Sequence, residues 1–216
     1  LDTLTGLANR RYFDMHVKQA IEADEPLTHG ALLFFEISHL KEINDQKGFR
    51  VVDQLLIESA SLVKKIVAES GCVDAFAARI SGNTFAAFFA GIEQDKARQL
   101  AAHLSHNIAS LHERGMTPFA DVGHIGGAMY HGQRLNNWLS EVDLALRTAQ
   151  SEGPNVMHFF AAEEASGMGA WSASDWKGIL LEALNSQRVE LYTQVVNSTD
   201  NQLIHREVFL RLRDEL

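Results

Sequence analysis

The chain has 216 residues, 46% hydrophobic and 22% charged, an ordinary soluble globular balance with room for one domain of about 150 residues and a remnant. Its formal net charge of −9 argues against an electrostatic grip on nucleic acid or on an anionic membrane surface, since both need clustered Lys and Arg. A single cysteine, Cys72, excludes an internal disulfide and fits a reducing compartment, and no apolar run approaches the ~20 residues that span a bilayer.

In chain order, a loop at Leu4–Asn9 precedes a helix over Arg11–Ala23, where Tyr12, Met15 and Ile21 have helical spacing. Ala31–Ile37, apolar but for Glu36, is read as a buried central strand. A helix follows to Asn44, Gly48 breaks it, and Arg50–Val67 is an amphipathic helix with Leu55, Leu56, Ala60, Leu62 and Val63 on its apolar side. Phe76–Ile80 and Phe85–Ala90 flank the turn Ser81-Gly82-Asn83-Thr84 as an antiparallel hairpin. Glu93–His112 is helical, Phe119–Tyr130 strand-like, Leu135–Gln150 helical, and Asn155–Phe160 a last strand. These elements predict an α/β (α+β) domain over residues 1–160, with a central, mostly antiparallel sheet flanked by helices.

Residues 161–174 are small, Gly- and Ser-containing and weakly periodic, the best linker in the chain. Residues 175–216 supply one helix (Asp175–Ser186) and a second hairpin (Glu190–Val196 and Gln202–Leu212), too little to bury a core. They read as the start of a second domain. The first residue, Leu1, and the end just after a strand-like run lead us to expect a piece of a longer protein.

The opening run Leu1-Asp2-Thr3-Leu4-Thr5-Gly6-Leu7-Ala8-Asn9-Arg10-Arg11-Tyr12-Phe13 resembles the signature that begins GGDEF domains, the diguanylate cyclase family. Phe34 to Asp45 resembles that family's FDIDxFKxIND segment, and the register puts Ser81, Gly82, Asn83, Thr84 and Phe85 on the GGDEF hairpin itself. The resemblance covers Leu1 to about Phe160 and implies the nucleotide-cyclase-like fold. Beyond it, Leu191-Tyr192-Thr193-Gln194 and Glu207-Val208-Phe209-Leu210-Arg211 resemble the first strands of an EAL domain, the cyclic di-GMP phosphodiesterase family.

A cyclase must hold two divalent metals against GTP with hard oxygen ligands. The resemblance implies metal-site positions at Glu36 and Ile37 and on the hairpin, where Asn83 and Thr84 stand instead of two acids. Of the positions that would reach the triphosphate, Gln150 and Pro154 carry no charge. The product-inhibition position, Cys72-Val73-Asp74-Ala75, has no arginine to pair a phosphate. Asn44 and Asp53 match guanine-binding positions; read without the family they are a helix-terminal residue and a solvated carboxylate. Phe49 and Val52 are expected to crowd that pocket. In the EAL-like part, Glu207 matches a metal ligand, and Gln194 and Arg211 match residues lining the dinucleotide pocket; a Glu–Arg pair across a hairpin is the plainer alternative. His103 and His106 have i,i+3 spacing but no ligand cluster to complete a zinc site.

The resemblance therefore implies a regulatory GGDEF-like module without cyclase activity. It would dock on or control an adjoining EAL domain that binds cyclic di-GMP, or tune a working phosphodiesterase. Residues 1–216 alone are too short for EAL hydrolysis. No cofactor is expected here, and Mg²⁺ only weakly at Glu36 or with a complete EAL domain. Cyclic di-GMP is the expected partner through that domain, with weak GTP binding and a homodimer as further candidates; no nucleic acid or membrane contact is expected. A cytoplasmic setting is expected, free or as the cytoplasmic part of an anchored receptor.

Overall fold

The computed structural model describes residues 1–160, 181–186, 188–197 and 203–212, and on the last two segments the side chains of 196, 197, 203–205, 207 and 212 fall outside the description. The linker expected over residues 161–174 lies outside the described residues, as does most of the helix expected over Asp175–Ser186. The chain divides into two units, Leu1–Ala170 and Trp171–Leu216.

In the first unit the elements run β1 (Ala8–Asn9), α1 (Arg10–Glu22), β2 (Gly30–Ile37), α2 (Leu40–Lys47), α3 (Phe49–Ser70), β3 (Ala75–Arg79), β4 (Thr84–Ala90), α4 (Gln94–Glu113), β5 (Gly123–Tyr130), α5 (Leu135–Glu152) and β6 (Met157–Phe159). They form one six-stranded sheet in the order β1-β3-β4-β2-β5-β6. β2 lies antiparallel to both β4 and β5, while β1 and β6 join parallel to β3 and β5. The mixed α/β architecture expected from the sequence is present, and the run at Ala31–Ile37 is central because both of its faces are covered.

Alternation along β2 sends its residues to two cores. Leu33, Phe35 and Ile37 join the apolar stripes of α3 and α4, while Leu32 and Phe34 pack with Phe13 and Val17 of α1 and Trp138 and Val142 of α5. Phe35 and Phe85, directly opposite across β2 and β4, stack with centroids 5.7 Å apart. Such a pair contributes about 0.5–1.5 kcal/mol beyond its buried area. Trp138 is fully buried and donates from Nε1 to the Ala128 carbonyl at 3.1 Å, which fixes α5 against β5.

Local signals set the helix ends. Asn9 caps α1, its side-chain oxygen accepting from the Tyr12 amide at 3.0 Å. Gly48, at φ 82°, ends α2 and turns the chain directly into α3.

Two expectations need correction. The strand read as Phe119–Tyr130 begins only at Gly123, because Asn155 diverts the backbone before it. Its Oδ1 accepts from the Val122 and Gly123 amides (2.8 and 3.3 Å) and its Nδ2 donates to the Ala120 carbonyl at 2.6 Å. Asn155 itself, read as the first residue of the last strand, sits left-handed at φ 56° outside β6. The two-residue strand β1 has no sequence signal.

In the second unit, residues 181–185 are helical, and β7 (Val189–Asn197) pairs antiparallel with β8 (Leu203–Leu212), with a register shift at Val196/Asn197.

Candidate functional site

The end of β2 and the tip of the β3–β4 hairpin form one locus. Glu36 lies opposite Thr84 on one side and His124 on the other. The tip is tied to β2 twice, since the Ile37 amide donates to the Asn83 carbonyl at 3.0 Å and the Asn83 side-chain Nδ2 donates to the Ile37 carbonyl at 3.2 Å. A relay fixes that amide: Ser81 Oγ donates to Thr84 Oγ1 at 2.8 Å, and Thr84 Oγ1 donates to Asn83 Oδ1 at 3.4 Å. From α5, Gln150 Nε2 donates to Glu36 Oε1 at 3.0 Å.

The Glu36 carboxylate and the Ile37 carbonyl are the oxygens a cation would need, and each already accepts an amide N–H. Both donors come from positions where the family resemblance leads one to expect charge. Magnesium demands near-octahedral oxygen coordination; Glu36 is the one carboxylate among Glu36, Ile37, Asn83 and Thr84, and the N–H groups direct positive dipole ends toward any ion placed there. Among the described residues no group of three His, Cys, Asp or Glu could hold a metal. The donor set does not fit a two-metal centre.

Beneath the tip is a clamp that motif matching did not single out. Arg79 donates from one guanidinium nitrogen to the Gly82 carbonyl at 2.6 Å and pairs with Asp2 at 3.4 Å. Asp2 also accepts from the Thr5 amide at 2.8 Å and the Thr5 hydroxyl at 2.6 Å. Burial pushes the Asp2 carboxyl upward, but the Thr5 hydrogen bonds and the Arg79 charge outweigh it and hold the group below the usual aspartate range. The loop between Asp2 and Leu7 is thereby fastened to the hairpin.

Asn44, on α2, has its Oδ1 shut away from solvent with no hydrogen-bond partner among the described residues. Asp53, on the first turns of α3, is exposed. Phe49, expected to crowd this region, instead points to solvent with 76% of its surface exposed, while Val52 packs against the core. At the product-inhibition position, Asp74 pairs with His16 at 3.0 Å.

A cavity of about 270 Å³ opens beside Glu36, between α1 and α5, with Arg10, Thr84 and Asp143 on its rim. Burial raises the Asp143 carboxyl above the ordinary value despite the opposing charges of Arg147 and Arg10.

In the second unit, the register sets Gln194 opposite Glu207 and Glu190 opposite Arg211, which places all four with Tyr192 and Phe209 on one face of the ribbon. The Arg211 guanidinium lies over the Tyr192 ring at 4.9 Å, and the Tyr192 hydroxyl donates to Glu190 at 2.8 Å. The Glu207 side chain lies outside the description. Arg211 thus faces an aromatic ring and Glu190 rather than sitting in register with Glu207.

Among the described residues, no helix is long and apolar enough to cross a membrane.

Residues 1–156 match the protein family described as diguanylate cyclase, GGDEF domain. Over 214 residues, 97% of the chain, the sequence is 28% identical to the bifunctional diguanylate cyclase/cyclic di-GMP phosphodiesterase MucR of Pseudomonas aeruginosa, of which it covers 30%. Three of the curated relatives it matches are covered over only 20% to 30% of their own length. The GGDEF domain of DgcB from Caulobacter crescentus, solved with c-di-GMP, superposes with a TM-score of 0.63 at 27% identity over 73% of this chain and 94% of that one. The S helix-GGDEF-EAL structure of Vibrio cholerae LapD, bound to c-di-GMP, is similar in fold over 100% of this chain and 49% of its own, with a TM-score of 0.64 at 20% identity.

Proposed function

The chain belongs to the GGDEF-domain family of diguanylate cyclases, and from that membership we propose that its first unit is a GGDEF domain without cyclase chemistry, serving as the regulatory part of a cyclic di-GMP signalling protein. The observation that carries this reading is the pair of amide donors at the catalytic locus, Asn83 on the Ile37 carbonyl and Gln150 on Glu36. Each takes one acceptor position of an oxygen that a metal would otherwise engage. Mg²⁺ would meet a single carboxylate, Glu36, with none at the tip where Asn83 and Thr84 stand.

The β7–β8 ribbon is proposed to be the opening of an EAL domain on which the first unit acts, with Gln194, Glu207 and Arg211 on its ligand-facing side. Cyclic di-GMP would then bind to the completed domain. The match to MucR, which spans 97% of this chain but 30% of that protein and whose name includes phosphodiesterase activity, favours a second reading in which the whole protein hydrolyses cyclic di-GMP and this domain tunes the rate.

Incubating the concentrated chain with GTP and Mg²⁺ and separating nucleotides by chromatography tests the first claim. No cyclic di-GMP is expected, and a product peak that scales with protein sinks it. Supplying cyclic di-GMP to a form of the protein that carries a complete EAL domain separates the other two: binding without linear product supports a receptor, and linear product a phosphodiesterase.

A further inference from the structure

The turn between α5 and β6 combines strained backbone with ties to β2, β5, α4 and the loop ahead of β5. Gly153 stands at φ 138° and Asn155 at φ 56°, and a non-glycine residue at positive φ persists only where its surroundings fix it. Asn155 is fixed from two sides. Its side chain holds the backbone of Ala120, Val122 and Gly123, and Ser105 Oγ of α4 donates to its carbonyl at 2.6 Å. Gly153 is held from β5, where His124 Nε2 lies 2.9 Å from its carbonyl. A carbonyl can only accept, so the proton is on Nε2, and Nδ1 is left to accept from the Ser38 hydroxyl at 3.4 Å. Ahead of the turn, Gln150 is tied to Glu36 of β2 at 3.0 Å. Glu36 and His124 are directly opposite in the β2–β5 register, so these last two ties flank one point of the sheet.

We propose that this turn is a latch, a strained segment that opens locally while the rest of the first unit stays folded, with the Gln150–Glu36 hydrogen bond as its catch. The ties to Gly153 and Asn155 involve backbone atoms that the sheet and its loop hold in place. Gln150 and Glu36 meet instead through two side chains at the surface, so their bond can break without moving the backbone. Local openings of this kind need less free energy than global unfolding. β6 is the last element of the first unit before the chain continues to the second. The latch therefore sets the state of the chain where it leaves the regulatory unit. The inference rests on the reading that the locus holds no metal, because a cation on Glu36 would compete with Gln150 for the same carboxylate.

Hydrogen-exchange mass spectrometry of the 216-residue chain tests it, comparing a peptide over residues 150–160 with one over residues 55–66 of α3. Gln150→Ala should speed exchange in the first about three- to tenfold and leave the second unchanged. Gln150→Lys keeps a donor for the Glu36 carboxylate and should return exchange to within about twofold of the parent. Gln150→Glu sets like charges together and should exchange at least as fast as Gln150→Ala. Ser105→Ala removes the donor on the Asn155 carbonyl and should act on the same peptide from a different helix. Ser140→Ala removes a local bond nearer the start of α5 and should not. Parent-like exchange at 150–160 in both Gln150→Ala and Ser105→Ala, an equal rise in α3, or no rescue by Gln150→Lys overturns the latch. Its failure is separable from failure of the reading beneath it. Cyclic di-GMP formed from GTP and Mg²⁺ would overturn the lost cyclase chemistry, whereas an unmoved exchange pattern overturns the latch alone.

Discussion

Asp2 and Arg79 are 77 positions apart in the chain, and nothing in either local sequence announces that they meet. By contrast, the family resemblance singled out Glu36, Asn83 and Gln150 in the sequence as positions that differ from its motif. What the motif could not show is that the replacements interact, each amide donating to an oxygen of the same locus. Substitution reads from a linear pattern; the hydrogen bond that follows needs the fold. The Asp2 clamp supports a pH prediction. Its folded carboxyl titrates below the ordinary value of about 3.8, so its contribution is complete well above that value and is lost as pH falls through the folded one. Asp2→Asn should therefore be less stable than the parent by about 1–2 kcal/mol at neutral pH, with the gap closing as pH falls below the ordinary aspartate range. Urea denaturation across that range checks it, and a gap independent of pH would remove the charged clamp from the account.

At the level of elements, helix and strand identities followed from periodicity, while their ends followed from contacts far away in sequence. β5 starts late because Asn155 takes the amides of Val122 and Gly123; read from the sequence alone, the strand-like run continues back to Phe119. The same strand carries Gly126-Gly127, which in sequence only thins a strand. In the fold, a Cβ on Gly126 would collide with the backbone of Leu146, so α5 packs closer to β5 than any side chain would permit. The α5–β5 contact also holds Gln150 over Glu36, so the packing glycine and the site are linked. Gly126→Ala should destabilise the domain by about 1–3 kcal/mol, because the obstacle is backbone and cannot swing away. Gly82→Ala at the hairpin tip, with nothing within 4 Å of the added methyl, should stay within about 0.5 kcal/mol of the parent. Chemical denaturation of the two variants side by side decides the matter, and equal midpoints would mean that the α5–β5 contact is not limiting.

At the scale of the molecule, the described residues of the two units differ in how far they bury their apolar side chains. The first covers both faces of its sheet, with Phe35, Phe85, Phe88, Phe89 and Trp138 fully buried. The second presents a two-stranded ribbon whose one face carries Leu191, Val195, Val208 and Leu210, each at least half exposed. An isolated two-stranded ribbon is marginal in water, and an exposed apolar face of this kind favours self-association. The sequence led to the same expectation, since one helix and two strands offer too little partner surface to bury a core. Residues 1–160 alone should accordingly unfold cooperatively within about 2 °C of the 216-residue chain. In the longer chain, Leu191→Lys with Leu210→Glu should reduce concentration-dependent light scattering and leave that midpoint in place, because the changed residues belong to neither core of the first unit. A drop of more than about 5 °C on truncation would show that the ribbon contributes to the stability of the first unit, and the regulatory coupling proposed above would then have to act through a shared core rather than between separable units.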